Sequence, residues 1–153
     1  MPCPTGYRAS QDTRMNYSRR DLSKALALLA TARAAAQNAV LPSKTYRYED
    51  LPVKENAANR QRAVFKGETH TGFSVELHET ELPPGKEPHP PHSHVHEEMI
   101  MIREGTMEVT ISGNKSRLGP GSVAWVASNE HHGWRNVGAT PARYMVMALG
   151  REK

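Results

Sequence analysis

Cysteine is almost missing. Cys3 is the only one in 153 residues, so neither a disulfide framework nor a thiolate zinc knuckle can form within the chain. No stretch approaches the roughly 20 apolar residues of a membrane-spanning helix. Apolar residues make up 37% of the chain, a modest share. A chain of this length still closes one core and suits one domain. An excess of either charge is missing from the body. The net charge of +4 arises in residues 1–36, which hold six basic and two acidic residues and leave fourteen of each sign for the rest. Nothing in the body therefore supports nucleic-acid binding.

What the first 36 residues do have is the layout of an export signal. A basic stretch ends in Arg19-Arg20, an apolar run covers residues 22–30, and Ala34-Ala35-Ala36 fits an A-x-A cleavage site before Gln37. The segment SRRDLSK, residues 18–24, resembles the twin-arginine export motif S-R-R-x-F-L-K, with Leu22 for its Phe and Ser23 for its Leu. The resemblance implies a leader over residues 1–36, or one starting at Met15. The mature chain, residues 37–153, would be periplasmic or secreted, without a membrane anchor and without a thiol. The alternative is an N-terminal helical arm on a cytoplasmic protein, which the Ala and Leu content also suits.

After residue 40 the pattern alternates. In TGFSVELHETEL, Phe73, Val75 and Leu77 share one face, and Ser74, Glu76 and His78 the other. EEMIMIREG is a short apolar strand ended by Gly105. TMEVTISGN alternates and turns at Gly113-Asn114, and SVAWVAS and ARYMVMALG are further strand-like runs. Gly, Pro, Asn or Ser bounds each. Short, evenly spaced strands with no helical pattern between them predict an all-β sandwich or barrel. KTYRYEDLPV reads as an edge strand or an arm.

The stretch HPPHSHVHEEM, from His89 to Met99, concentrates four histidines and two glutamates. His92 and His94 are two apart on an extended segment, so they leave by one face. With a tight turn at residues 95–97, Glu98 opens the next antiparallel strand and faces back toward them. Ile100 and Ile102 share its parity, while Met99, Met101 and Arg103 face away. In EHHGWRN, His132, Trp134 and Asn136 share a parity that excludes His131. A barrel can bring His132 across to the first group.

These residues carry a resemblance to the cupin family. Its first motif, G-x5-H-x-H-x(3,4)-E-x6-G, corresponds to Gly85, six residues rather than five, His92, His94, Glu98 and Gly105. Its second, G-x5-P-x-G-x2-H-x3-N, corresponds to Gly121, Ala127 in place of Pro, Asn129 in place of Gly, His132 and Asn136. Asn tolerates the left-handed conformation that such a turn uses. The resemblance covers residues 70–149. It implies a double-stranded β-helix, the cupin jelly-roll barrel, holding one divalent ion through His92, His94, Glu98 and His132. Three imidazoles and a carboxylate, with no sulfur, suit manganese or iron, with zinc or nickel also accommodated. Positions stay open for water or substrate. His89 and His96 read as solvated loop residues. A purely metal-sticky tract would account for His92 and His94, not for Glu98 and His132 at motif spacing.

The remaining interior reads as apolar: Ile100, Ile102, Trp134, and either Val123 with Trp125 or Ala124 with Val126. His78 joins the pocket mouth if its face turns inward. The expected function is a metal-dependent enzyme acting on a small organic molecule, with dioxygenase-like oxidation favoured. A non-catalytic module binding a sugar or small carboxylate is one alternative, and an isomerase or lyase using the metal as Lewis acid is another. A homodimer is expected, since the outward Met99 and Met101 need cover.

Overall fold

The computed structural model describes residues 40–150. The leader expected over residues 1–36, its alternative start at Met15, and Cys3 all lie outside the described residues. Among the described residues, a 3-10 turn at Tyr48–Asp50 precedes nine strands. They are β1 (Val53–Glu55), β2 (Arg60–Glu68), β3 (Ser74–Leu82), β4 (Glu97–Glu104), β5 (Met107–Ile111), β6 (Asn114–Leu118), β7 (Val123–Val126), β8 (His132–Asn136) and β9 (Ala142–Gly150).

Local chemistry sets the turns. The Asn56 carboxamide oxygen accepts from the backbone N–H of Ala58 at 2.8 Å and of Asn59 at 2.9 Å, closing the turn from β1 to β2. Ser112 and Gly113 both have positive φ, 48° and 83°, the combination a two-residue hairpin needs. The turn therefore falls one residue earlier than the sequence reading placed it, and Asn114 already pairs with Ile111.

Two sheets form the all-β barrel, one of order β1-β2-β3-β9-β4-β7 and one of order β6-β5-β8. Sequence-distant strands lie side by side, β9 between β3 and β4, as in a jelly roll. The inward residues of both sheets form one core, with Leu82, Ile100, Ile102, Met107, Val109, Val126, Trp134, Ala142, Tyr144 and Val146 all buried. Within it the Trp134 indole N–H donates to the Tyr144 hydroxyl at 3.0 Å. Ala124 and Val126 face inward while Val123 and Trp125 are exposed, which decides between the two parities left open for this strand.

On β3 the apolar alternation is real but belongs to the outer face. Directly opposed residues in an antiparallel pair share a face. His78 opposes Val146, which opposes Ile100, and Thr80 opposes Tyr144. The polar set Glu76, His78 and Thr80 therefore points into the barrel. The outer face near β2 is covered by the arm. Tyr46 packs on Phe65 with ring centroids 5.6 Å apart, and Arg62 lies over the Tyr48 ring. KTYRYEDLPV is thus an arm with a 3-10 turn, and within it strand pairing begins at Val53. Glu79, outward yet buried, takes the Arg103 guanidinium. Further along the same face Met99 opposes Met147 and Trp125, and Met101 opposes Met145 and Val123. Trp125 is 49% and Met101 40% exposed.

Gly105 ends β4 with φ 81°, and a Cβ there would lie 2.7 Å from the Cα of Ala142. Gly113, at φ 83°, has open space around it. Gly113→Ala should cost about 1–2 kcal/mol, the conformational term alone. Gly105→Ala should cost clearly more, because backbone must also move. Denaturant midpoints of the two variants measure the difference, and equal losses would refute the close approach.

Candidate metal centre

The loop before β4 and the strand β8 are joined by backbone before any side chain is considered. His92 and His132 exchange two hydrogen bonds, 2.9 and 2.8 Å, as an isolated antiparallel bridge. The Asn129 N–H donates to the His94 carbonyl at 2.8 Å, and Asn129 takes φ 63°, the left-handed turn anticipated for it. Glu98 sits one residue into β4, opposite Ala148 and Val126 on the inner face.

The side chains then meet. Ligand-capable atoms of His92, His94 and His132 lie within 4.8 Å of one another, and so do those of His94, His96 and Glu98. The Nε2 atoms of His94 and His96 are each 3.4 Å from Glu98 Oε1, and His132 Nε2 is 3.4 Å from Oε2. His92, His94, Glu98 and His132, picked out by the motifs, thus converge. His96 joins them, contrary to its reading as a solvated loop residue. Its ring stacks on His94 at 3.5 Å and 10°. His89, also read as solvated, is exposed but lies edge-on to His92 at 4.4 Å and to Trp134 at 5.6 Å.

Proton bookkeeping shows what the cluster is suited to hold. His94 Nδ1 is 2.8 Å from the His96 carbonyl, and His132 Nδ1 is 2.8 Å from the Glu130 carbonyl. A carbonyl only accepts, so each Nδ1 carries a proton, and in the neutral rings that a metal ion requires each Nε2 presents a bare lone pair. Those lone pairs face a carboxylate that also only accepts. Among the described residues, five buried side-chain atoms lack a hydrogen-bond partner: His78 Nδ1, His92 Nδ1, His94 Nε2, Glu98 Oε2 and His132 Nε2. Four of them belong to this cluster, and leaving each unpaired costs about 1–3 kcal/mol. A divalent cation removes the conflict. Two donor atoms bound tetrahedrally at about 2.1 Å to one ion sit roughly 3.4 Å apart, the spacing seen here. The backbone carbonyls behind His94 and His132 stand where outer partners would fix ligating imidazoles.

Glu98 and His78 line two cavities beside the cluster. The mouth cavity, about 220 Å³, also takes in Lys66, Glu76, Val95 and His96. The inner cavity, about 170 Å³, is walled by Asn59, Gln61, Thr80, Trp134, Tyr144 and Val146. His78, whose face turns inward, lines both of these cavities, and Trp134, also part of the core, lines the inner one. Ile100 and Ile102 are not among the lining of either cavity and belong to the closed core. Their parity toward the interior was right, but they lie deeper along β4 than Glu98. Glu76, Thr80 and Tyr144 went unread as site residues. The signal for the first two was the polar face of β3, carrying His78. Burial raises the Tyr144 hydroxyl well above its ordinary pKa, so it stays protonated. His78 Nδ1 lies 3.5 Å from Glu76 Oε1, and Lys66 Nζ is 3.1 Å from Oε2 of the same carboxylate. Asn136, at the second motif's end, is a strut. Its amide donates to the carbonyls of Leu82 and Thr140 at 2.8 Å each.

Residues 78–148 match the family model described as the cupin domain. No curated protein matches the chain. Solved structures do. A cupin described as RmlC-like, from Shewanella frigidimarina, is 17% identical with a TM-score of 0.59, over 72% of this chain and 95% of that one. The polyketide cyclase RemF from Streptomyces resistomycificus is 21% identical with a TM-score of 0.57, over 71% and 80%. A predicted oxalate decarboxylase from Thermotoga maritima is 17% identical with a TM-score of 0.59, over 70% and 99%. At these identities the likeness establishes the fold.

Burial lowers His78 below the ordinary histidine value of 6.5. Burial also lowers His92, helped by the neighbouring imidazoles of His89, His132 and His94. As pH falls through 6.5 the unfolded chain gains these protons before the folded one, so stability is lost from there downward. The unfolding midpoint of metal-free protein should drop between about pH 7 and about pH 5. His78→Gln should flatten part of that drop, and an unchanged slope would show that His78 does not titrate as described.

Proposed function

We propose, starting from a barrel whose residues 78–148 match the cupin domain model, that the protein is a mononuclear metal-dependent enzyme acting on a small uncharged organic molecule by dioxygen-dependent oxidation. The observation that carries this reading is the set of opposed bare acceptors at Glu98, opening onto a cavity of about 170 Å³. Manganese or iron, held by His92, His94, Glu98 and His132, would supply a Lewis-acidic and redox-active centre with a position open to a ligand. Hard oxygen and imidazole donors without sulfur support that choice over a soft metal.

The protein's own groups define the ligand. A cavity of about 150 Å³ admits a benzene-sized molecule, and the inner cavity is of that order. Neither Lys nor Arg lines it, while Asn59, Gln61, Thr80 and the Tyr144 hydroxyl offer neutral hydrogen-bonding groups. That set favours hydroxyl or carbonyl oxygens over a free carboxylate or phosphate, which would be left without a cationic partner from the wall. The Trp134 and Tyr144 rings, edge to face with centroids 6.1 Å apart, supply the apolar part. His78, neutral and backed by Glu76, can accept a proton from a ligand hydroxyl.

That same His78–Glu76 pair favours a second reading, proton transfer at a Lewis-acid centre without oxidation, as in an isomerase or lyase. Two of the similar structures are described as a cyclase and a predicted decarboxylase. Protein loaded with Fe²⁺ or Mn²⁺ should consume oxygen with small hydroxylated or carbonyl compounds. His132→Ala should abolish this and weaken metal binding by more than about 100-fold, beyond the loss of an outer partner. Turnover that persists without oxygen supports the second reading instead. Affinity without turnover would leave a binding module.

We further propose that two copies pair through the outer face of β4, β7 and β9, where Met101, Val123 and Trp125 are exposed. A stable pair buries at least about 1,000 Å². Sedimentation at micromolar concentration should give a dimer, and Met101→Glu with Trp125→Glu should give a monomer. A monomeric parent protein would contradict the assignment.

A further inference from the structure

We propose that His96 fixes Glu98 for its ion, donating its Nε2–H to Oε1 so that Oε2, turned toward His132, is left for the ion. This rests on the metal-centre reading above.

Three imidazole nitrogens lie 3.4 Å from the Glu98 carboxylate: those of His94 and His96 at Oε1, and that of His132 at Oε2. With neutral rings, as around a bound ion, only one of them has a proton to give. His94 and His132 hold theirs on Nδ1, against the carbonyls of His96 and Glu130. No carbonyl claims the Nδ1 of His96 among the described residues, so its ring is free to carry the proton on Nε2. The carboxylate is thereby divided. Oε1 has a donor in reach, while Oε2 is buried without a partner and is turned toward His132.

His96 is built into this position. Its ring lies flat on His94. Its backbone passes so close to the end of β9 that a Cβ at Gly150 would come within 3.0 Å of the His96 Cα. The stack also argues against His96 as a direct ligand. Two imidazoles inclined by 10° at a 3.5 Å centroid separation direct their lone pairs side by side, so one ion cannot meet both head-on. A donor to the carboxylate has no such requirement. His96 acts through Glu98 and is a positioning residue.

The test uses Co²⁺ alone, titrated into the folded chain against a competing chelator, with the visible spectrum recorded. His96→Ala should keep one ion per chain and bind it 10–100-fold more weakly, the usual cost of losing an outer partner. His96→Gln, whose amide N–H can still donate, should recover most of that loss and keep the parent spectrum. If Ala and Gln both match the parent, His96 has no role. If both are equally weakened, with an altered spectrum, His96 is itself a ligand and the proposal is overturned. A parent protein that takes up no Co²⁺ overturns the metal centre, and this proposal with it.

Discussion

Acceptors that face one another without a donor between them are the constraint on which this structure turns. His94 and His132 are each turned by a carbonyl so that a bare nitrogen points at Glu98. With neutral rings and no cation that arrangement is repulsive, and burial strengthens the repulsion by lowering the local dielectric. It persists because the backbone leaves no choice. The two-bond bridge from His92 to His132 and the Asn129 N–H to the His94 carbonyl fix the loop from both sides. Glu98 is fixed by strand register between β7 and β9. The barrel is rigid where the site needs it, and the strain falls on a charge that an ion can neutralise.

The site was legible in the sequence to the extent that it follows parity. His92 with His94, then Glu98, then His132 could be grouped because strands alternate and because paired motifs set the spacing. Ala124 with Val126 could not be separated from Val123 with Trp125, since both sets are apolar and only the register of β4 against β7 decides. His96 was misjudged for a related reason. It lies in a bend, where parity says nothing, and its place depends on the close approach of Gly150 more than fifty residues away. The strand β3 hid its role differently. Its apolar face looked like the core face, yet the arm at Tyr46 covers part of the outside, and the polar face lines the cavity. A strand whose two faces are both partly buried defeats a reading based on alternation alone.

That inversion on β3 links fold to function. A barrel with Leu or Val at positions 76, 78 and 80 would close its interior. With Glu76, His78 and Thr80 inward, a polar strip runs beside the histidine–glutamate cluster, and Tyr144 continues it across β9. The apolar residues that would have filled this space stand on the outside, where they meet the arm and, further along, the methionine and tryptophan surface. On the proposed reading, ligand choice and the pairing of copies would draw on opposite faces of the same sheet.

The central claim is that a divalent ion completes the fold at Glu98. Unfolding midpoints measured with and without one equivalent of Mn²⁺, Fe²⁺ or Zn²⁺, beside the ion content of each sample, test it most directly. Binding to the folded state alone raises stability by about 2.7 kcal/mol at a hundredfold excess over the dissociation constant. The account predicts a rise in midpoint that saturates at one ion per chain. A midpoint that does not move, with no ion retained, would contradict it.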